Sequence, residues 1–185
     1  GRLWARPAVC RGAGGPGVAN LVTGIANALI DCCPVVAIGG SSPISQFGRQ
    51  VFQEIDQVAF MKGVCKYTDR VVNLRRIPQQ VNFAFQKAIS GKPGPVYLDM
   101  PGDILYQKID EDLVDWSFAG RPLLNSRPLG NPEQVGHLIE ALAKAERPSL
   151  VSGSGVSWSQ AWEEMHALDD LRGLPFYTTP RGGGA

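Results

Sequence analysis

A helical pattern that runs directly into a wholly apolar segment constrains the fold of this chain more than any other feature. Over residues 18–31, apolar residues recur at the i, i+3, i+4 and i+7 spacing of a buried helix, and Pro34 prevents its continuation. Residues 35–38 are Val-Val-Ala-Ile, and Gly39 and Gly40 follow them. A short uninterrupted apolar run of this kind indicates a strand buried on both faces, as the strands of parallel sheets are.

The same alternation of periods continues over the first hundred residues. Strand patterns are predicted over residues 7–10, 64–74 and 95–100, and helix patterns over residues 54–62 and 77–90. Gly91 follows the longer of these helices, where a C-cap glycine is common. Strands and helices in alternation predict the α/β class with a parallel sheet.

A change in composition near residue 118 predicts a domain boundary. Residues 119–130 include Gly120, Pro122, Asn125, Ser126, Pro128 and Gly130, which is typical of a linker. We therefore predict a first domain over residues 1–118, a linker over 119–130 and the start of a second domain over 131–185.

The second domain opens on a helix and repeats the α/β pattern. Asn131 can cap that helix, with Pro132 in its first turn. Its predicted inner face consists of Val135, Leu138, Ile139, Leu142 and Ala143. A strand is predicted over 149–151, and a second helix ends at Gly173 before a last strand. Two helices and two strands are too few to close a doubly wound core, so we expect a truncated, Rossmann-like domain.

Composition excludes several classes of function. The net charge is +1, and no basic run is interleaved with aromatic residues, which argues against nucleic-acid binding. No apolar run is long enough to span a bilayer. The four cysteines form no C-x-x-C pair, and only His137 and His166 could join them, so no metal site is predicted. Free thiols fit a cytoplasmic location. Because Gly1 stands where an initiator Met is expected, we expect the native N-terminus to lie upstream.

Two glycine-rich turns leave nucleotide-binding alternatives open. Residues 12–17 match G-x-G-x-x-G formally, but a dinucleotide fold wants an acidic residue at the end of the next strand, which closes with Gly39, Gly40 and Ser41. A tight strand-to-helix turn is therefore preferred to NAD binding. The Gly-Ser-Gly segment at 153–155 is a weak phosphate-turn signal, and a plain turn is preferred there too.

Acidic residues in two places suggest structural roles first. Glu54 is interpreted as a first-turn helix carboxylate, favoured by the helix macrodipole. The stretch that includes Asp103, Asp110 and Asp115 matches no metal-binding loop and is interpreted as a solvated exit from the first domain.

Taken together in order, the motifs resemble the pyrimidine-binding domain of thiamine-diphosphate enzymes. The matching segments are Gly14-Gly15-Pro16-Gly17-Val18-Ala19-Asn20, Pro34-Val35-Val36, Gly39-Gly40-Ser41-Ser42, Phe52-Gln53-Glu54-Ile55-Asp56-Gln57-Val58-Ala59 and Gly94-Pro95-Val96-Tyr97-Leu98-Asp99-Met100-Pro101. Lys144-Ala145-Glu146-Arg147-Pro148 resembles the opening of the family's central domain. Residues 55–59 and 101–105 are most similar to the benzaldehyde lyase and 2-hydroxyacyl-CoA lyase branch, with acetolactate synthase as the runner-up.

This resemblance implies a carbon–carbon lyase or carboligase that acts on 2-hydroxy ketones, 2-hydroxyacyl-CoA or 2-oxo acids through a thiazolium ylide. The implied cofactors are thiamine diphosphate and Mg²⁺, with FAD in the acetolactate synthase alternative and CoA or ADP also possible. The implied partner is a second subunit of a homodimer or homotetramer, since the cofactor of this family lies between domains of two subunits. A non-catalytic nucleotide-binding module remains the alternative from another class.

The resemblance also assigns site residues. Gly15, Pro16, Gly17 and Asn20 match the turn beside the aminopyrimidine ring, while Phe52 and Gln53 match side chains that face cofactor and substrate. The Glu that activates the cofactor in this family should lie upstream of the chain, and the diphosphate and Mg²⁺ site belongs to a third domain. We therefore expect this chain to be a fragment that is inactive alone.

Overall fold

The computed structural model describes residues 6–123, 128–180 and 182. It divides into two compact units, Gly1–Asn125 and Ser126–Ala185. The linker predicted over 119–130 stays a prediction, and its residues 124–127 lie outside the described part of the chain. No helix among the described residues is both long enough and apolar enough to cross a membrane.

The first unit alternates strands and helices as predicted. Its strands are β1 (Ala8–Gly12), β2 (Val35–Ser41), β3 (Tyr67–Arg70) and β4 (Val96–Pro101). Its helices are α1 (Pro16–Ala19), α2 (Val22–Ile30), α3 (Gln57–Lys62), α4 (Ile77–Ile89) and α5 (Gly102–Tyr106). Short 3₁₀ turns occur at Ile44–Gln46, Leu74–Arg76, Glu111–Leu113 and Trp116–Phe118.

The four strands form one parallel sheet in the order β1-β2-β4-β3, which confirms the predicted α/β class. All six residues of β4 are buried, because this strand has neighbours on both sides and helices over both faces. β1 lies at the edge, where exposure alternates and Arg11 points to solvent. Since all strands run in one direction, their carboxyl ends share one edge of the sheet, the usual place for ligands in such folds.

Two apolar clusters pack on the sheet. One contains Val18, Ile25, Ala37, Met61 and Tyr97, and the other contains Val36, Ala84, Ala88, Val96 and Leu98. Successive residues of β2 and β4 thus point to opposite faces, as the two-residue period of a strand requires. The continuous apolar runs read from the sequence are explained by burial on both sides.

The helix predicted over 18–31 is in fact two helices. α1 begins at Pro16, a residue suited to the first helical turn, and Leu21 N bonds the Val18 carbonyl at 3.0 Å where the chain tightens before α2. α2 ends at Ile30. Just beyond it, Cys32 adopts φ +54°, and Cys33 N bonds the Ala28 carbonyl at 2.8 Å. The predicted end at residue 31 is therefore confirmed to within one residue, and the predicted continuity is wrong.

Other boundaries also differ from the sequence predictions: β3 is confined to Tyr67–Arg70 within the predicted 64–74, and β4 ends at Pro101 and not at 100. β1 runs on through Gly12, so this residue belongs to the strand and not to the turn. α3 starts at Gln57 and not at 54, because the Asp56 carboxylate accepts a hydrogen bond from Ala59 N at 3.1 Å and caps the helix there.

The second unit contains α6 (Pro132–Lys144), β5 (Leu150–Ser152), α7 (Ser154–Ser159), α8 (Trp162–Arg172) and β6 (Phe176–Thr178). β5 and β6 pair in parallel. The Asn131 cap is confirmed, since its side chain accepts from Glu133 N at 2.9 Å. Gly173 ends α8 at φ +58°, also as predicted.

Three predictions for this unit are wrong in detail. The second helix is split into α7 and α8, since Gln160 adopts φ +52° between them. The Gly-Ser-Gly segment is not a plain turn, because Gly153 is the N-cap of α7 and the next two residues begin that helix. The predicted inner face of α6 is also exposed, with Leu138 at 64% and Ile139 at 53%.

Candidate functional site

The turn between β1 and α1 lies at the carboxyl edge of the sheet. Gly15 adopts φ +58° and ψ −111°, and Gly17 N bonds the Gly14 carbonyl at 3.4 Å, which together describe a type II′ turn. A Cβ on Gly15 would lie 2.4 Å from the carbonyl oxygen of Gln53. Only glycine therefore fits here, and the turn is in backbone contact with the segment that contains Phe52 and Gln53.

That segment, residues 48–54, is a loop held by its own carboxylate. Glu54 accepts hydrogen bonds from the backbone N–H groups of Gly48 and Val51, the latter at 3.1 Å. The Gly48 amide is the largest of the causes that lower the pKa of Glu54. Glu54 precedes α3 and so is not a first-turn helix carboxylate; the interpretation from sequence is wrong because the helix starts three residues later. Gln53 itself has φ +60°.

A cavity of about 510 Å³ opens between this loop and the turn. It is lined by Pro16, Gly48, Gln50, Val51, Gln53, Glu54, Ile55 and Asp56. The structure thus brings together two of the predicted site residues, Pro16 and Gln53, with Gly15 buried directly behind them.

The remaining predicted site residues lie outside this cavity lining. Phe52 is 88% exposed. Gly17 lies in α1 and Asn20 is its C-cap, whose N–H bonds the Pro16 carbonyl at 3.0 Å. They hold the turn together through the backbone of the helix that follows it.

A buried polar network behind the turn was not foreseen from the sequence. Gln57 is 1% exposed, and its side-chain oxygen accepts a hydrogen bond from Gly15 N. Its Nε2 lies 2.9 Å from the Gly40 carbonyl, 2.7 Å from Asp99 Oδ1 and 3.0 Å from the Tyr97 hydroxyl. The side chain of one residue therefore joins the turn to the carboxyl ends of β2 and β4.

Asp99 is the charged centre of this network and is fully buried. Its Oδ2 accepts from Arg70 Nε at 2.6 Å and from Ser41 Oγ at 2.9 Å, while its Oδ1 accepts from the Tyr97 hydroxyl at 2.9 Å. Burial, and then the nearby Asp99 carboxylate, raise the pKa of Tyr97. An acidic residue inside an otherwise apolar run, at 96–100, is the sequence signal that could have identified it.

The hydrogen bonds of the turn also bear on the dinucleotide alternative. A pyrophosphate needs free backbone N–H groups at the helix N-terminus. Gly15 N donates to Gln57, and Gly17 N donates to the Gly14 carbonyl. Both of these N–H groups are used within the protein, which argues against pyrophosphate binding at Gly15 and Gly17.

The cavity fits the ring end of thiamine diphosphate and not its charged end. No Lys or Arg is among its lining residues, which include the carboxylates of Glu54 and Asp56. Both carboxylates accept backbone N–H groups, Glu54 from Gly48 and Val51 and Asp56 from Ala59, and Gln53 supplies a neutral amide beside the Pro16 ring. A diphosphate would find no cation in this lining, whereas an uncharged heteroaromatic ring does not need one. Among the described residues, no group of three His, Cys, Asp or Glu side chains could hold a metal ion.

Comparison with known proteins finds matches for both units. Residues 1–60 match the family model described as "Thiamine pyrophosphate enzyme, N-terminal TPP binding domain". Residues 135–185 match the model described as "Thiamine pyrophosphate enzyme, central domain". The chain is 35% identical to a 2-hydroxyacyl-CoA lyase of Arabidopsis thaliana, over 100% of this chain and 33% of that protein. It is 36% identical to a probable acetolactate synthase large subunit of Methanococcus aeolicus, over 99% of this chain and 31% of that protein. The chain therefore spans about one third of the length of these relatives.

Proposed function

Since this chain belongs to the family of thiamine-pyrophosphate enzymes, we propose that it forms part of a longer carbon–carbon lyase or carboligase. Its substrates would be 2-hydroxy ketones, 2-hydroxyacyl-CoA or 2-oxo acids. The observation that carries this proposal is the contact of the Gly15 turn with Gln53 beside a cavity that no Lys or Arg lines.

Thiamine diphosphate, when bound, supplies the nucleophilic carbon and accepts the electron pair of the broken bond. The residues of this chain provide its surroundings. Pro16 and the Gly15 turn form a wall for the pyrimidine ring, while the Gln53 amide can donate to an oxygen on which negative charge develops. Phe52 is 88% exposed in this chain. Once another part of the enzyme covers it, its ring would exclude water from that side.

The groups that the described residues lack are assigned to other parts of the enzyme. Glu54 cannot serve as the activating carboxylate, because its oxygens already accept from the amides of Gly48 and Val51. We place the activating glutamate, the diphosphate site and Mg²⁺ outside this chain. We also propose that a second subunit of a homodimer or homotetramer covers Phe52.

The first test is the intact mass of the native polypeptide, followed by thiamine diphosphate binding and turnover of that protein. We expect a chain of several hundred residues, and Gln53→Ala should lower kcat by about 100-fold, the usual effect of removing one donor to a developing oxyanion. Gln46→Ala, in the exposed 3₁₀ turn of the same loop region, is the matched control and should leave kcat unchanged. A native protein that binds no thiamine diphosphate would refute the proposal.

The acetolactate synthase alternative is supported by the 36% identity to the Methanococcus aeolicus protein. It predicts that the purified enzyme carries FAD, visible as flavin absorbance released on denaturation, and that it consumes 2-oxo acids. The lyase proposal predicts cleavage of a 2-hydroxyacyl-CoA instead. Binding of ADP or CoA without any dependence of activity on thiamine diphosphate would favour a non-catalytic nucleotide-binding module.

A further inference from the structure

Gln57 contacts three separate segments of the candidate site, two through backbone groups and one through a side chain. Its side-chain oxygen accepts from Gly15 N, and its nitrogen reaches the Gly40 carbonyl at 2.9 Å and Asp99 Oδ1 at 2.7 Å. Because Gln57 is only 1% exposed, water does not compete for these hydrogen bonds. Every polar atom of this side chain is thus directed at the turn or at the strand ends beside it.

The orientation of the Gln57 amide is determined by its neighbours. The ionised Asp99 carboxylate, paired with Arg70 at 2.6 Å, can only accept hydrogen bonds, and the Gly40 carbonyl can only accept as well. The NH₂ group must therefore face these two, which leaves the amide oxygen facing Gly15 N. The ion pair between β3 and β4 in this way selects the rotamer that holds the turn.

The Gly15 turn is held from two sides. The Gln53 carbonyl oxygen lies against its Cα, close enough that a Cβ would approach to 2.4 Å, and Gln57 accepts its N–H from the other side. The Gly15 carbonyl accepts from Ala19 N at 3.0 Å, but the hydrogen bond that closes the turn, from Gly17 N to the Gly14 carbonyl, is long at 3.4 Å. Loss of the Gln57 contact should therefore loosen the N–H side of Gly15 and, with it, shift Pro16.

We propose that Gln57 is a positioning residue for the cofactor, which sets the place of Pro16 through its hydrogen bond to Gly15, with Asp99 setting the orientation of its amide. The inference rests on the proposed function. Gln57 does not line the cavity, so it acts on the ligand through the turn and not by contact.

The experiment compares Gln57→Met with Gln80→Met in the native full-length protein. Gln80 is the matched control, because its Nε2 donates to Asp69 at 2.9 Å and to the Arg70 carbonyl at 3.3 Å without reaching the turn. Two quantities are measured: hydrogen exchange of the Gly15 amide without ligand, and the Kd of thiamine diphosphate by calorimetry. Gln57→Met should accelerate the exchange and raise the Kd about tenfold, as expected for one lost hydrogen bond to a buried group, and Gln80→Met should change neither.

A second variant, Gln57→Glu, tests whether the Kd depends on pH. A purely structural role of Gln57 would not make the Kd vary with pH. A protonated Glu can donate to Asp99 while accepting from Gly15 N, whereas an ionised Glu would face the Asp99 carboxylate. The other titratable or charged groups around it are Tyr97 on β4, Arg70 on β3, and Asp56, which lies 3.7 Å from Arg70. The ratio of the Kd of this variant to the Kd of the unsubstituted protein should be near one at acid pH. It should rise as the pH increases.

The outcomes separate this inference from the proposed function. If the unsubstituted protein binds thiamine diphosphate and Gln57→Met binds it equally well, the positioning role is overturned and the proposed function stands. If the unsubstituted protein does not bind thiamine diphosphate, both are overturned. If Gln57→Met fails to fold, a Gln57→Glu variant whose relative Kd does not vary with pH would refute the inference on its own.

Discussion

Arg70 Nε lies 2.6 Å from Asp99 Oδ2, and the two residues are direct partners in the pairing of β3 with β4. The carboxylate is fully buried, while the guanidinium side chain keeps 28% of its surface exposed and stacks 4.3 Å from the centre of the Phe47 ring. The pair closes the carboxyl edge of the sheet on which the Gly15 turn and the 48–54 loop rest.

Asp99→Asn should lower the free energy of unfolding by about 2 kcal/mol, because it weakens a charged hydrogen bond and disturbs the partners of a buried side chain. Urea unfolding at neutral pH measures this change. Glu140→Gln is the control: its exposed pair with Lys144 spans 4.0 Å on one face of α6, and its loss should change the free energy by less than about 0.5 kcal/mol. Equal stability of Asp99→Asn and the unsubstituted protein would contradict the buried network.

Gly15→Ala should destabilise the protein by about 2–3 kcal/mol, the cost of an alanine forced into a glycine-only conformation, and the new Cβ would meet the Gln53 carbonyl. Gly24→Ala should have the opposite sign, by about 0.5–1 kcal/mol, since this glycine lies inside α2 with no atom near its Cβ position. Thermal unfolding of the two variants side by side checks both signs. A neutral Gly15→Ala would mean that the II′ turn is not required.

Glu54 should control the order of the 48–54 loop in a pH-dependent way. Its pKa is lowered by the amides that it binds, first that of Gly48, so its contribution is complete above the ordinary glutamate value of about 4.3 and is lost as the pH falls through the lower folded value. At pH 7, Glu54→Gln should accelerate hydrogen exchange at Gly48 and Val51. Glu111→Gln, outside the loop, should not. Equal exchange of these amides in Glu54→Gln and the unsubstituted protein at pH 7 would contradict the prediction.

Cys65 should resist alkylation in the native protein. Burial, and then the neighbouring Cys10, raise the pKa of its thiol to about 12, so almost no thiolate is present at pH 8. Treatment with iodoacetamide followed by peptide mass spectrometry should leave Cys65 unmodified until denaturant is added. Modification of Cys65 at the same rate before and after unfolding would show that the thiol is accessible.

The α/β class, the parallel sheet and the caps at Asn131 and Gly173 could all be predicted from the sequence. The class and the sheet follow from apolar runs of the length of a strand that alternate with helical patterns. The two caps depend on near neighbours in the chain: a carboxamide that accepts from the next two N–H groups, and a glycine at positive φ. Helix boundaries were less predictable, because the apolar period across residues 18–31 is the same for one helix as for α1 followed by α2.

The sequence by itself also determined which glycines and prolines make the turn before α1, since these residues carry their backbone preferences with them. Only the tertiary structure decided what supports that turn. Gly15, Gln57 and Asp99 are separated by 42 positions at each step, and they meet because β4 inserts between β2 and β3, an order that chain sequence does not specify. A buried carboxamide and a buried carboxylate gain stability only from partners that the fold delivers, which is why their roles are visible in the sheet and not in the linear pattern.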